Sequence, residues 1–252
     1  MSSLAAARPA RARLGRWPYD DGVAHLVLLD HHMVPTDTDI AAWIDQATGQ
    51  GARLLRTGAL FPNSTAPFLD AGFHVADTLT LLSCRIGSRG IVPGRIAEVD
   101  TTGTSRRLPT TGGSVRLRRL RPSMLSEAAD IDRRSFSAPW ANDVAALVDI
   151  MSATPYHRSR SVHHHGRMVA FSISGRADRS GYVQRLAVDP SARRQGFAGL
   201  LLDDALHWMR RRGVSEAMVN TAAGNRPALS LYESAGFERQ PGSLSILERA
   251  LP

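Results

Sequence analysis

The chain contains no lysine: all 31 of its basic residues are arginine, against 23 acidic residues, for a net charge of +8. A charge excess carried by one residue type in an alanine-, glycine- and arginine-rich chain reflects GC-rich coding as much as selection at a surface. A basic field attracts phosphate-bearing partners but makes no site, so the charge does not mark a nucleic-acid binder. With a single cysteine, Cys84, an internal disulfide is excluded and a reducing compartment is expected. Within the apolar stretch "LTLLSCRI" that cysteine reads as a small core residue rather than a nucleophile. No apolar run is long enough to cross a bilayer, so no membrane association is expected. What is present, 43% hydrophobic and 21% charged over 252 residues, is the composition of a globular chain long enough for two modest domains.

The N-terminal "MSSLAAARPARARLGRW" is rich in arginine and free of acid, as transit peptides are, and has no secretory apolar segment. In a lysine-free chain it is better read as a disordered tail, residues 1–18, on a bacterial cytoplasmic protein. From Gly87 to Gly113 the sequence loses periodicity and fills with Gly, Pro, Thr and Arg, the composition of a linker. It divides a first domain, 19–86, from a second, 114–252.

The second domain alternates elements. "SVRLRRLRP" reads as a half-exposed strand, and helical patterns follow over Met124–Phe136 and Asp143–Met151. Strands are expected near Ser159–His164, Met168–Ser174 and Tyr182–Val188. A helix over Phe197–Arg212 repeats Leu200, Leu201, Ala205, Trp208 and Met209 at helical spacing and stops at Gly213. The strand "EAMVN", a helix over Pro227–Ala235 closed by Gly236, and a last strand near Leu244–Glu248 complete an α/β (α+β) domain around one mixed sheet.

The chain also repeats itself. "GARLLRTGALFPNSTAPFLDAGF" aligns with "GVSEAMVNTAAGNRPALSLYESAGF": Gly51 with Gly213, Asn63 with Asn225, Phe68 with Tyr232, and Ala71-Gly72-Phe73 with Ala235-Gly236-Phe237. Upstream, "HLVLLD" stands for "QRLAVD". The first domain is therefore a partial copy, but "HHMVPTDT" replaces the arginine- and glycine-bearing turn, and Phe68 lacks the hydroxyl of Tyr232. The copy has the marks of a degenerate lobe without an anion site.

That turn, in "LAVDPSARRQGFAGLLL", carries the chemistry. A helix opening on Gly196 presents unpaired N–H groups and the positive end of its dipole. Gly196 and Ala198 let a diphosphate approach the backbone, and Arg193 and Arg194 add charge-assisted donors. Taken alone, the turn could equally be an ordinary strand-to-helix connection with solvated arginines.

"RRQGFA" with the preceding "LAVDP", and "GNRPALSLYESAGF" downstream, resembles the signature of the GNAT superfamily of N-acetyltransferases over roughly Val115–Glu248. The resemblance implies the GNAT fold and acetyl-CoA as co-substrate. It implies that the backbone of Leu186, Ala187 and Val188 holds the pantetheine arm and that Arg193, Arg194, Gln195, Gly196, Phe197, Ala198 and Gly199 surround the diphosphate. Asn225 would contact pantetheine, and Tyr232 would give a proton to the departing thiolate, a task a positioned phenol can perform. No metal is implied.

Where many members carry a glutamate as general base, this chain has Tyr182 and Asn220. His157 and the run His163-His164-His165 are substitutes on or before a strand; a solvated run is the plainer reading. "FSAPW" resembles a segment of ribosomal-protein alanine N-acetyltransferases, in which Phe136, Pro139 and Trp140 would shape the acceptor groove; the alternative is that the aromatics anchor a loop. The two-lobed order is similar to that of mycothiol synthases. The acceptor is thus an amine on a protein N-terminus or a small molecule, and a non-catalytic acyl-CoA-binding or protein-interaction module is the alternative. Nucleic-acid association through Arg116–Arg121 and Arg210–Arg212 is disfavoured, because such clusters suit a strand face and a helix C-terminus.

Overall fold

The computed structural model describes residues 10–29, 33–87, 105–107 and 114–252. Contacts divide the chain into two units. The first gathers residues up to Leu81 with Thr221–Gly224 and Gln240–Pro252; the second is Leu82–Asn220 with Asn225–Arg239.

In the first unit β1 (Ala12–Trp17) pairs antiparallel with β2 (Asp20–Leu28), which runs parallel to β3 (Leu54–Thr57). Helix α1 (Asp37–Gly49) joins β2 to β3, and α2 (Pro62–Asp70) leads from β3 into β4 (His74–Arg85). Leu26, Ile40, Leu55, Leu60 and Phe68 form its core. Two expectations change here. Ala12–Trp17 is a strand, not part of a disordered tail: Ala12 and Leu14 pack on this core, and Trp17 meets His25 edge-on at 4.8 Å. Residues 1–9 of the expected tail lie outside the described residues. The last strand, found longer as β11 (Glu238–Ala250), pairs with β3 through Glu248 and Arg56 and packs Leu247 into this first core, rather than staying with 114–252.

The expected linker lies mostly outside the described residues. Its Ser105–Arg107 forms a short strand, β5, antiparallel to β6 (Ser114–Arg119). The second unit continues with helices α3 (Leu125–Ser135) and α4 (Val144–Ser152), then β7 (Tyr156–His164), β8 (Arg167–Ala177) and β9 (Ser180–Val188). Helix α5 (Phe197–Arg211), β10 (Glu216–Ala222) and α6 (Arg226–Ser234) follow. The strands lie in the order β10-β9-β8-β7-β6-β5.

Among the described pairs of this row, β9 and β10 run parallel, joined by a crossover through α5. Alternation along β8 sends Phe171 and Ile173 to Leu125, Ile131 and Leu147 of α3 and α4, and Ala170 to Phe197, Leu200 and Leu201 of α5. Both faces are covered, which is why Met168 to Gly175 are all buried.

The repeat read from sequence has a physical counterpart inside each unit. Gly51 and Gly213 both close a helix with left-handed φ, 78° and 73°, and Ala52 N and Val214 N donate to Ala47 O and Met209 O at 3.1 and 3.2 Å. Gly72 and Gly236 do the same at 82° and 85°, with Phe73 N donating to Phe68 O and Phe237 N to Tyr232 O, each at 3.0 Å. A left-handed residue at a helix end is where glycine escapes the Cβ clash.

Candidate active site

β9 and β10 part company early. Their pairing runs only from Ser180–Glu216 to Tyr182–Met218, so Val183 to Val188 have β8 on one edge and, among the described residues, no strand on the other. Leu186, Ala187 and Val188 pair with Ser172, Phe171 and Ala170 across β8, leaving outward backbone groups available to an added strand.

β9 ends at Asp189, which accepts from Ser191 N at 3.0 Å, Ser191 Oγ at 2.6 Å and Arg134 Nε at 2.9 Å. These bonds and the Arg134 charge outweigh burial and hold its carboxyl below the usual range, although burial is the largest single influence. The anchored turn delivers the chain to α5. There Gly196 is the N-cap at φ 87°, with no side-chain cap and no acid in the first turn. Its left-handed conformation is costly for residues with a Cβ, and the opening N–H groups of α5 have no carboxylate of their own. Arg193 reaches back to donate to Ser135 O at 3.1 Å, and Arg194, itself left-handed at φ 61°, is exposed. Gln195 is half-buried, and Phe197 and Gly199 are buried with Ala198 half-buried between them.

Asn225 caps α6 by accepting from Ala228 N at 3.3 Å, so its oxygen has a structural task as well. Tyr232 sits in the same helix, 6% exposed, with its ring 5.8 Å from that of Phe237. Its hydroxyl meets no hydrogen-bonding group among the described residues. Burial pushes its pKa up to about 12, with Arg185 pulling the other way. It is therefore protonated at neutral pH and able to donate.

Beside this edge lies a group that sequence reasoning passed over. Asp132, fully buried in α3, accepts from Arg185 Nε and Nη2 at 2.6 Å each and from Asn142 N at 2.7 Å. Arg185 Nη2 also donates to Trp140 O at 2.7 Å, and the guanidinium lies 3.6 Å from the centre of the Phe136 ring. Phe136 and Trp140 thus hold Arg185, a role between the two foreseen for them. The signal for Asp132 was available: it falls on the apolar face with Leu125, Ala128, Ala129 and Ile131.

The substitute bases are dispersed. His164 lies 5.5 Å from Phe197 and 3.9 Å from His165 in ring centroids, at the α5 end of the sheet. Burial lowers the pKa of both His163 and His164, with Arg118 and His165 respectively adding to it. Strand register puts Ser159, Ile173 and Arg185 in one row, four residues along β7 from His163 and two from exposed His157. Tyr182 is half-buried and Asn220 exposed. Cys84 is buried among apolar residues, with its thiol pushed up first by burial. Among the described residues no cluster could hold a metal ion, and no helix is long and apolar enough to cross a membrane.

Residues 125–237, which contain this whole arrangement, match the acetyltransferase (GNAT) family. The second unit carries a GNAT domain. It is similar to the [ribosomal protein bS18]-alanine N-acetyltransferase of Escherichia coli (strain K12), 29% identical over 113 residues that cover 45% of this chain and 74% of that one. A mycothiol acetyltransferase of Thermomonospora curvata is 41% identical over 75 residues, 29% of this chain and 25% of the relative. In fold, a tandem GNAT protein from the clavulanic acid biosynthesis pathway covers 96% of this chain and 79% of its own with a TM-score of 0.64 at 13% identity. The GNAT domain makes the chain an acyltransferase acting on an amine, and the two-lobed architecture is that of tandem GNAT folds.

Proposed function

We propose that the GNAT domain is an acetyl-CoA-dependent N-acetyltransferase that works by direct attack of the acceptor amine. The observation that carries the reading is the conjunction, on one strand, of an open edge at Leu186–Val188 and an uncapped helix start ten residues on. An extended amide-bearing arm ending in a diphosphate needs both: strand-like partners for its amides, and unpaired N–H groups with flanking cations for its phosphates. The left-handed Gly196, where a Cβ would be strained, fits the same requirement.

Bound acetyl-CoA supplies an activated acetyl thioester. The chain's residues do the rest. Leu186, Ala187 and Val188 orient the arm through their backbone; Gly196 to Gly199 bind phosphate through N–H groups at the positive end of α5; Arg193, Arg194 and Gln195 flank it. Asn225 contacts the arm from the start of α6. Tyr232 Oη holds its proton across the working range and passes it to the departing sulfur. The amine is on a protein N-terminus or a small molecule, as the names of the two relatives bracket. A bacterial cytoplasmic setting agrees with a lone, buried Cys84.

Calorimetric titration with acetyl-CoA is the direct test. Micromolar binding by the native chain, lost in Gly196→Glu, is expected, because the glutamate sets strain and negative charge where phosphate is to bind. Undiminished binding by that variant would refute the placement. The lack of a carboxylate at Tyr182 and Asn220 favours a second reading, a non-catalytic acyl-CoA-binding module; acetyl-CoA binding without turnover of any amine would select it.

A further inference from the structure

The repeat contains two equivalent strands, β4 after Phe73 and β11 after Phe237, and neither finishes in the unit that holds the helix before it. β4 passes out of the first unit at Leu81, and Leu82, Cys84 and Ile86 are buried in the second unit's core with Val219, Tyr232 and Phe237. β11 passes out of the second unit at Arg239 and packs Leu247 into the first unit's core, where Ser245 N and Leu60 N donate to each other's carbonyls at 2.9 and 2.8 Å. Each half of the chain therefore completes the other, in the way identical elements are exchanged between protomers of a swapped dimer. Residues 125–237, which match the family, do not include the strand end that contributes to their own core.

That core holds the proton donor. Tyr232 Oη has no hydrogen-bonding partner among the described residues, so packing of the ring, and not a hydrogen bond, sets where the hydroxyl points. Phe237 lies 5.8 Å from that ring, centre to centre. It is brought there by Gly236, left-handed at φ 85°, which turns the chain at the end of α6 so that Phe237 N donates to Tyr232 O at 3.0 Å. A Cβ added at Gly236 would come within 3.9 Å of Cys84 Sγ, which places Cys84 against this turn. Ile86 N donates to Ser215 O at 2.8 Å, just ahead of β10, and ties down the strand end. Close-packed side chains transmit a displacement to their neighbours, and a reacting group misplaced by about 1 Å can cost about a hundredfold in rate.

We propose that the first half of the chain, whose helix α1 is capped from within, serves the reaction through this strand: Leu82, Cys84 and Ile86 are positioning residues for Tyr232. As the C–N bond forms and the C–S bond breaks, Tyr232 Oη gives its proton to sulfur and recovers, by way of solvent, the proton that the amine releases. The three residues act through the ring, by fixing the distance over which that proton moves. The inference rests on the acetyltransferase reading above.

Hydroxylamine is the probe. Largely neutral at pH 7, it needs neither a general base nor a fitted acceptor groove, and release of thiol from acetyl-CoA above the uncatalysed rate reads the step that Tyr232 serves. Leu82→Ala should lower kcat about tenfold and leave the acetyl-CoA dissociation constant within about twofold. Leu82→Met, which keeps the volume, should hold kcat within about threefold of native. The deciding comparison places Leu82→Ala on Tyr232→Phe, where no hydroxyl remains to be positioned and kcat should fall by no more than about a further twofold. If Leu82→Ala does not fold, Cys84→Ala, a smaller deletion against the same turn, goes through the same cycle with an expected loss of about fivefold. An equal loss with and without the Tyr232 hydroxyl, or native kcat in both alanine variants, would overturn the proposal. Acetyl-CoA binding without catalysed thiol release would overturn it by selecting the non-catalytic reading. Failure to bind acetyl-CoA would instead overturn the reading on which it rests.

Discussion

The chain contains two helices, α1 and α5, that each follow a strand in the repeated pattern, and their starts satisfy the same physical demand in opposite ways. At the start of α1, Thr36 Oγ1 accepts from Asp39 N at 3.2 Å, while the Asp39 carboxylate takes Thr36 N at 3.0 Å and Thr36 Oγ1 at 2.8 Å. This capping box satisfies the helix start from within the chain. At the start of α5 the N-cap is Gly196, and the position equivalent to Asp39 is Gly199; neither can cap. One helix supplies its own anion and the other leaves its dipole end for one from outside. The same contrast recurs in the helices that follow. Phe68 and Tyr232 hold equivalent places, each in ring contact with the phenylalanine that follows its helix, Phe73 and Phe237, and they differ by one hydroxyl. The first unit thus has a capped helix start and no hydroxyl at this place, with its core closed around Phe68 all the same.

Tyr232→Phe, which makes the second lobe resemble the first, should lower kcat about a hundredfold while leaving the acetyl-CoA dissociation constant within about twofold. Steady-state rates and calorimetry on one preparation check both halves, and unaltered kcat would remove Tyr232 from the chemistry. Gly199→Asp copies the cap of α1 onto α5. With a carboxylate at the dipole end worth up to about 2 kcal/mol, acetyl-CoA should bind roughly thirtyfold more weakly, and a thermal melt shows whether the fold has tolerated a side chain at this buried position.

Thr36→Ala, in the other direction, should destabilise the first unit by about 1 kcal/mol in a denaturant titration without altering acetyl-CoA affinity. A change in affinity would mean that the degenerate lobe still serves the ligand. The smallest effect concerns Asp39. Its hydrogen bonds, first that from the Thr36 backbone, hold its folded pKa below the ordinary 3.8. Its contribution is present at neutral pH and lost as pH falls through the folded value. The stability gap between the native chain and Asp39→Asn should therefore be constant near neutrality and close below about pH 4; a gap that widens in acid would contradict the capping geometry. Asp39 is only half-buried, and solvent screening keeps the gap small.

Much of the second unit was legible because its signals are local. Leu200, Leu201, Ala205, Trp208 and Met209 announce α5 by spacing, and all five are buried. Gly213 and Gly236 mark helix ends that a left-handed residue must form. The strand at Ala12–Trp17 was not legible, because a short run with few apolar residues becomes a strand only when β2 supplies hydrogen bonds and Leu26 and Phe68 supply a surface. The pairing of Asp132 with Arg185 was not legible for a related reason: the two are separated by 53 residues, and no periodicity links a helix carboxylate to a strand guanidinium.

The sequence by itself determined the order of elements in the second unit and the glycine-opened turn after β9, since each depends on residues within a few positions of one another, and the internal repeat, since it shows in a direct comparison of two stretches. Tertiary structure alone decided that β11 joins β3, that β9 and β10 separate after Tyr182, and that a bulge turns Gln184 and Arg185 to one face. Those outcomes depend on which surfaces remain to be covered and which backbone edges remain to be paired once the whole chain has packed, and that competition is settled between segments distant in sequence.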